Sequence, residues 1–539
     1  MGAAARPPLT ARRCAGEVLL VGLAALVLAG GVMLFGNPDL RGDQNAYTLL
    51  VVKKLAPDLF ARDVLYRHDP DLLHVPWFLE AHAAVARRLD GDVDRALAWF
   101  GWIIGAVFVA GHYAFFRAVT GRPAPAALAT LGAVTLRNAL GGEVWGFEGV
   151  ASAATRTILA GLVPPLLLLF LRWQSRPWLP AYWGLLGLLF NVHPVSAYHL
   201  AQVTAAAHLW RERGHPRALG RVGLGVGLFV LGALPYLVPF FAGRDGGGAP
   251  AEVRAALDYR FPYLLYPDAV APNVLLSVAF HMALPLGAWF WWRRRGEPNA
   301  VLTPLVPVLG ATLVLGFGGT ALIQVLGAWL DRPYLDIQQM RVLRLLHPIL
   351  LGGLALAYAR LLTTPPARRA RLALTVLLVV SLVPPGEVIH AFPPERRAAV
   401  KHALGMGPPP AAAASTDSVA RRALWAWAAT TPVSTLFFTD DFEFRLRTRR
   451  AITGSFKDGA FMFLAGEGPL AAWYALERER TACRAAGGRD CWFALARQLD
   501  ADYAILDPEL AGAAAAAPPD FECVWVREGW SAWRRRGAG

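Results

Sequence analysis

A carboxylate near the start of the chain is the first residue that could do chemistry. Asp43 stands in Gly42-Asp43-Gln44-Asn45, a few residues after an apolar run, and opens a segment with helical periodicity. A carboxylate held at a membrane surface can act as a general base toward a hydroxyl group. Aspartate is also a good helix N-cap, and the two roles are compatible. Gln44 beside it is a candidate for binding or supporting an acceptor.

Arginines at the ends of apolar runs are candidates for binding a phosphate group. Arg341 and Arg344 lie in Gln338-Gln339-Met340-Arg341-Val342-Leu343-Arg344 at the start of one run, and Arg156 lies at the start of another. A guanidinium group can bind phosphate through two parallel hydrogen bonds. The alternative for each arginine is a side chain that reaches toward lipid headgroups. We predict a phosphate contact from Arg341 and Arg344, with Arg156 as a further contact.

Two more cationic residues lie in polar segments between apolar runs. His193 stands at a turn in Asn191-Val192-His193-Pro194, and Arg260 stands in Asp258-Tyr259-Arg260-Phe261-Pro262-Tyr263. His193 could contact the phosphate or act as a structural hydrogen-bonding group. Arg260 could line a lipid entrance or belong to an interfacial aromatic belt.

Two acidic residues could support an acceptor or hold a metal ion. Glu143 and Glu148 flank Trp145 in a short loop. The loop contains no Asp-x-Asp or Glu-x-Asp pair, so we predict no metal at this place. We predict no other cofactor either, because the polar tail lacks both a Gly-x-Gly-x-x-Gly motif and a P-loop.

The composition predicts that these residues belong to a membrane protein. Of the 539 residues, 55% are hydrophobic and only 17% are charged, which is too little charge for a soluble surface. The formal net charge is +14, but the arginines form short clusters between apolar runs. That arrangement is typical of the positive-inside rule and not of nucleic-acid binding, so no nucleic-acid partner is predicted.

Apolar runs of the right length predict about eleven transmembrane helices. The first is Val18–Phe35, which we interpret as a membrane anchor and not as a cleaved signal peptide, because no cleavage site follows it. The others lie near 96–116, 123–139, 156–172, 177–193, 195–210, 221–242, 273–292, 301–328, 342–362 and 370–390.

The loops predict an orientation. Five arginine-rich loops alternate with loops that are richer in acidic and aromatic residues, so the N-terminus is predicted to be cytoplasmic and the C-terminal tail extracytoplasmic. The longest outer loop, 37–95, contains two helical stretches, Asp43–Leu55 and Val75–Leu89. We predict that both helices lie on the membrane surface.

The chain divides into a membrane part, residues 1–407, a linker at 408–414, and a tail at 415–539. In the tail, short β-rich runs at 434–439, 451–456, 502–506 and 523–526 alternate with helical patterns at 468–480 and 491–500. This alternation predicts a small α/β domain. Cys483 and Cys491 lie close together in the tail, and outside the cytoplasm they could form a disulfide or remain two thiols.

The whole arrangement resembles the GT-C superfamily of polytopic membrane glycosyltransferases. The local resemblance rests on Gly42 to Tyr47, on Leu59-Phe60-Ala61-Arg62-Asp63-Val64-Leu65-Tyr66, and on tail motifs. The tail, from Thr431-Pro432 through Phe437-Phe438-Thr439, Phe444-Arg445, Arg450 and Phe456-Lys457-Asp458, is similar to the outer domains of uncharacterised bacterial members. The resemblance implies an α-helical polytopic fold of about eleven spans with the α/β tail outside.

The resemblance also implies an activity. In the family, an aspartate of the first outer loop acts as the base on an acceptor hydroxyl, which displaces a polyprenyl phosphate from a sugar with inversion. Asp43 matches that position. The implied partners are a polyprenyl-phosphate-linked sugar, membrane lipid and a glycan, lipid or protein acceptor, at the bacterial inner membrane and facing the cell envelope. Two alternatives stay open: a non-catalytic scaffold of the same architecture, and a transporter or flippase.

Overall fold

The computed structural model of the protein describes most of the chain in separate stretches. They are residues 16–24, 43–68, 75–135, 137–138, 145–146, 155–242, 249–261, 299–329, 339–361, 416–511 and 518–537, with single positions at 287, 290 and 294.

Helices make up the membrane part of the described chain. In chain order they are α1 (Asp43–Leu55), α2 (Val64–His68), α3 (Pro76–Arg88), α4 (Val93–Thr120), α5 (Pro123–Thr135), α6 (Thr155–Trp173), α7 (Leu179–Phe190), α8 (Pro194–Arg211), α9 (Pro216–Ala242), α10 (Pro250–Arg260), α11 (Val306–Leu313), α12 (Gly319–Trp329) and α13 (Leu346–Leu361). A two-stranded ladder, β1 (Arg137–Asn138) with β2 (Trp145–Gly146), lies between α5 and α6. Short 3₁₀ turns precede α11 and α13 at Thr303–Leu305 and Gln339–Leu345.

Five helical segments of the described residues are long and apolar enough to cross a membrane. They are Val93–Thr120, Thr155–Trp173, Pro216–Ala242, Thr303–Gly327 and Gln339–Arg360. Helix α9 illustrates the apolar surface of these segments. Large apolar residues such as Leu219 and Phe241 are about 70% exposed in the chain, as expected for side chains that face lipid. The described chain is therefore mostly helical, and several of its helices could span a membrane.

The prediction of eleven spans needs correction. The predicted run 123–139 forms only the 13 residues of α5, about 20 Å at 1.5 Å per residue, whereas the hydrocarbon core is about 30 Å thick. The run 177–193 forms only the 12-residue α7. The run 195–210 forms α8, which is too polar to be a candidate span because it carries His199, Gln202 and Thr204. The runs 18–35, 273–292 and 370–390 lie largely or wholly outside the described residues.

Helices α1 and α3 match the predicted bounds to within one residue, and both pack against other parts of the chain, while their place at the membrane surface stays a prediction. Tyr47 and Val51 of α1 are buried, and so are Phe78 and His82 of α3. Phe78 packs edge-on against Tyr47, while its neighbour Trp77 is exposed. Both helices belong to a core shared with residues 253–257 of α10 and with residues 446–473 of the tail.

The tail is an α/β domain, as predicted. Its elements are α14 (Thr416–Ala428), β3 (Leu436–Phe438), α15 (Phe442–Thr448), β4 (Ala451–Ile452), α16 (Gly459–Ala465), α17 (Glu467–Ala485), α18 (Arg489–Gln498), β5 (Tyr503–Leu506), α19 (Pro508–Ala511), β6 (Phe521–Arg527) and β7 (Trp530–Arg535). A 3₁₀ turn at Phe456–Asp458 leads into α16.

The tail's sheet has the strand order β4-β3-β5-β7-β6. Strands β4, β3 and β5 are parallel, and β5, β7 and β6 pair antiparallel. The predicted run at 434–439 forms β3, the run at 451–456 is a strand only at Ala451–Ile452, and the sequence did not predict β7. Cys483 and Cys491 form a disulfide with their Cα atoms 5.8 Å apart, a distance typical of such bonds.

A fully buried ionic network joins the segment that follows α1 to the tail. The Arg445 guanidinium donates to both oxygens of Asp63 at 2.7 and 2.8 Å and to both oxygens of Asp458 at 2.6 and 2.8 Å. The backbone N–H groups of Leu65 and Ile452 also donate to Asp63. Burial favours a lower pKa for Arg445, but Asp458 and Asp63 outweigh burial and raise the pKa of Arg445. The guanidinium is therefore charged and fully engaged.

A second contact beside this network ties the same segment to the sheet. Arg62 donates to the Asp502 carboxylate at 2.6 Å and to the carbonyl oxygen of Asp500 at 2.7 Å. Asp502 in turn accepts from the backbone N–H of Leu436, at the start of β3. The segment and the tail therefore form one packed unit.

Candidate functional site

A narrow cationic cleft lies among the membrane helices. Nine residues line it, and the polar ones are His112, Arg156, Ser196, His199 and Arg344, while the other four are apolar. Among these described lining residues, two are arginines and none is acidic. A cleft with charge of one sign and apolar walls attracts an ion of the opposite sign, so this cleft suits an anion. It has space for about one water molecule, so its walls must move apart to admit a larger ion.

One wall of the cleft depends on a close helix crossing. Helices α4 and α6 touch at two glycines, where a Cβ on Gly161 would lie 2.7 Å from Phe108 Cα and one on Gly111 would lie 2.2 Å from Gly161 O. Small residues allow such close backbone approach between membrane helices. The crossing places His112, which follows Gly111, on the same cleft as Arg156 at the start of α6.

His112 is oriented by its own helix. Its Nδ1 lies 3.0 Å from the carbonyl oxygen of Phe108, and since a carbonyl can only accept, Nδ1 carries the proton. Its ring lies 6.1 Å from that of His347 on α13. Two histidines from different helices therefore lie side by side, and one of them, His112, lines the cleft with the arginines.

Arg344 enters the cleft from the 3₁₀ turn before α13. It is buried, and its Nε donates to the carbonyl oxygen of Arg341 at 3.1 Å. The turn is fixed at its start by Gln339, which donates to Gln202 of α8 at 2.9 Å. Arg341 lies on the same turn but is half-buried and does not line the cleft.

The helix that begins at Asp43 is tied to the cleft's neighbourhood. The hydroxyls of Tyr47 and Thr155 are hydrogen-bonded at 3.1 Å, and Thr155 directly precedes Arg156. Tyr47 lies one helical turn after Asp43, and Gln44 between them is buried. The first turn of α1 therefore lies beside the start of α6, while the Asp43 side chain is outside the described residues.

The other predicted cations lie elsewhere. His193 is the N-cap of α8, where its Nδ1 accepts from the backbone N–H of Ser196 at 3.2 Å. Arg260 ends α10 and lies over the rings of Phe261 and Phe456, each at 4.7 Å, on the side of the tail. The structure thus brings Arg156 and Arg344 together, while neither His193 nor Arg260 is a lining residue, although His193 contacts Ser196, which is one.

Glu143 and Glu148 lie outside the described residues. Within the described part of the chain, no group of three or more His, Cys, Asp or Glu residues is arranged to hold a metal ion.

Sequence reasoning missed three of the cleft's polar residues, His112, Ser196 and His199. Each had a usable signal, because a polar or ionisable residue inside an apolar helix is costly in lipid and often marks a working site. Ser196 and His199 are also three positions apart on α8, which places them on one helix face.

Comparison with protein-family models and with curated proteins finds no match to this chain.

Proposed function

We propose that the protein is an inverting glycosyltransferase that moves a sugar from a polyprenyl-phosphate donor to an acceptor hydroxyl at the outer membrane surface. The observation that supports it is the cationic cleft with Arg156 and Arg344, next to the helix that begins at Asp43. The disulfide in the tail supports an oxidising compartment, such as the bacterial periplasm, for that side of the protein.

The proposed step balances in charge and protons. The Asp43 carboxylate takes the proton of the acceptor hydroxyl as its oxygen bonds to the anomeric carbon of the sugar. The bond between that carbon and the phosphate oxygen breaks, and the electron pair leaves with the phosphate. The donor phosphodiester carries one negative charge and the departing polyprenyl phosphate carries a second. Arg344 and Arg156 therefore stabilise charge that develops in the transition state.

The remaining candidates take supporting places in this proposal. Arg341 flanks the cleft on the turn that holds Arg344, and Gln44 lies in the first turn after Asp43. Acceptor contacts by Glu143 and Glu148, and donor contacts by His193 and Arg260, stay predictions.

The test is sugar transfer by purified full-length protein in proteoliposomes, with radiolabelled polyprenyl-phosphate hexoses as donors and cell-envelope lipid extract as the acceptor. We expect the Asp43→Asn variant to lose about 10³-fold in rate, as for removal of a general base. We expect the Arg344→Ala variant to lose about 10²-fold, as for removal of one charge-stabilising donor. Arg360→Ala, at the opposite end of the same helical segment, is the matched control and should retain the rate.

Full transfer by both the Asp43→Asn and Arg344→Ala variants would remove the catalytic proposal. A wild-type protein that transfers no sugar from any donor in the panel would favour the non-catalytic scaffold.

A further inference from the structure

The tail reaches the first turn of the helix that begins at Asp43. Asn45, two residues later, is buried, and its Nδ2 donates to Oε1 of Glu443 at 3.2 Å. Glu443 lies in the first turn of α15 in the tail, 398 positions further along the chain. This contact is separate from the Arg445 network, which binds the loop after α1.

Glu443 is itself held in place by its surroundings. Its backbone N–H donates to Oδ1 of Asp441 at 3.0 Å, and Asp441 is the N-cap of α15. The Arg421 guanidinium lies 3.7 Å from Oε2 of Glu443 and 2.6 Å from Asp441. The two carboxylate oxygens of Glu443 therefore face two different partners, one in the tail and one in α1.

The opposite side of the same helix turn is held by the membrane bundle. Tyr47 is hydrogen-bonded to Thr155 at the start of α6, next to Arg156 of the cleft. The first turn of a helix has backbone N–H groups without intrahelical partners and opens more easily than its middle. Side-chain contacts on both sides thus fix a turn that would fray by itself.

We infer that Glu443 is a positioning residue, which through Asn45 sets the first turn of α1 against the cleft. This inference rests on the proposed function, in which Asp43 opens that turn. Displacing a reacting group by about 1 Å can lower a rate about 10²-fold, so docking of the tail controls the reaction at the membrane. The tail is then part of the working site and not a separate module.

Hydrogen exchange on the full-length protein in lipid nanodiscs tests the inference without any substrate. Glu443→Ala removes the acceptor, Glu443→Gln keeps an oxygen acceptor at the same position, and Asn45→Ala removes the donor. Glu479→Ala, an exposed glutamate of the tail, is the matched control.

We expect Glu443→Ala and Asn45→Ala to speed exchange of the amides of residues 47–50, which bond to carbonyl groups of the first turn, about tenfold, the effect of one lost hydrogen bond. Exchange in α3 should stay unchanged, which shows that the fold is intact. Glu443→Gln should restore slow exchange, and the double variant should be no faster than either single variant, because both remove the same contact.

Unchanged exchange at residues 47–50 in both alanine variants would overturn the inference, as would equal exchange in Glu443→Gln and Glu443→Ala. In the transfer assay, we expect kcat of Glu443→Ala to fall about tenfold, with the donor KM unchanged because the cleft is intact. If exchange responds as expected while Asp43→Asn retains full activity, the contact stands and the proposed function fails. If Asp43→Asn is inactive and exchange does not respond, the function stands and the positioning role fails.

Discussion

Arg445 and the two arginines of the cleft, Arg156 and Arg344, have different surroundings. In the core shared by residues 43–97 and the tail, Arg445 is 0% exposed and donates to two carboxylates, Asp63 and Asp458, through four hydrogen bonds. In the membrane cleft, Arg156 and Arg344 line a narrow space together with histidines, and none of the described lining residues is acidic.

This difference distinguishes the structural role of Arg445 from the binding role that we propose for the cleft. A buried cation with its carboxylates built in has its charge balanced by the chain, so it holds parts of the fold together. The described lining of the cleft places its arginines among histidines, a serine and apolar side chains, and the proposed function adds the negative charge of a donor phosphate there. Burial of an arginine is thus not by itself a sign of function. The identity of its neighbours distinguishes a structural arginine from a candidate for binding.

The largest expected effect is on the shared core. Replacing Arg445 by alanine leaves two carboxylates buried without their cation, which costs about 3–5 kcal/mol of stability. Thermal unfolding of the full-length protein in detergent should show a large fall in Tm. Arg447→Ala, two positions later and exposed, should unfold close to the wild type.

Equal melting of the Arg445→Ala and Arg447→Ala variants would contradict the structural role of the network. A triple variant that replaces Arg445, Asp63 and Asp458 with apolar residues sharpens the comparison. It should recover much of the lost stability, because no unbalanced charge then remains buried.

The sequence predicted the features that depend on local patterns and missed those that depend on contacts between residues far apart in the chain. Helix α1 was predicted at Asp43–Leu55 and the α/β class of the tail was predicted correctly, because helical periodicity and alternating strand and helix patterns are local signals. Arg445 and Asp63 were noted only as separate motifs. Their ion pair joins residues 382 positions apart, and the local sequence around neither residue predicts the other as its partner.

The cleft was predicted in part for the same reason. Arg156 and Arg344 were candidates because arginine at the end of an apolar run is a local pattern, but their meeting depends on how α4, α6 and α13 pack. His193 was a candidate from its place at a turn, where it caps α8 and orients Ser196. Helix capping and ligand binding favour the same residue type at the same position. Only the packing of the folded chain distinguishes the two roles.

A smaller effect is expected at the helix crossing that forms the cleft wall. Gly161→Ala would place a Cβ 2.7 Å from Phe108 Cα and force α4 and α6 apart, at a cost of about 1–3 kcal/mol. Gly220→Ala on α9 is the matched control, since nothing lies within 4 Å of its Cβ, and it should stabilise the helix slightly. Melting curves of the two variants should therefore shift in opposite directions.

The transfer assay extends that comparison to the cleft. Moving α6 away from α4 also moves Arg156 away from His112, so Gly161→Ala should transfer sugar more slowly than Gly220→Ala. Equal stability and equal transfer in the two variants would show that the close crossing does not set the cleft.

The smallest effect concerns a histidine of the shared core. His82 of α3 is buried, and its Nε2 bonds to the carbonyl oxygen of Val93 at 3.0 Å, so this nitrogen carries the proton of the neutral ring. Burial lowers the pKa of His82, and the bond to Val93 opposes this only in part. Below a pH of about 6.5, the unfolded chain therefore binds a proton that the folded chain does not accept until a lower pH.

The sign of the pH effect follows from that difference. The contribution of His82 to stability is complete above its unfolded pKa of about 6.5 and falls with decreasing pH until the folded pKa is passed, by at most about 1.4 kcal/mol per pH unit. The fall in Tm from pH 7.5 to pH 5.5 should thus be smaller in His82→Gln, whose side-chain amide can still donate to Val93. The control is His215→Gln at an exposed position, which should leave the wild-type fall unchanged. An identical fall in Tm in wild type and His82→Gln would contradict this prediction. It would mean that the shared core, despite its buried charges, accepts a positive charge on His82 at no cost in stability.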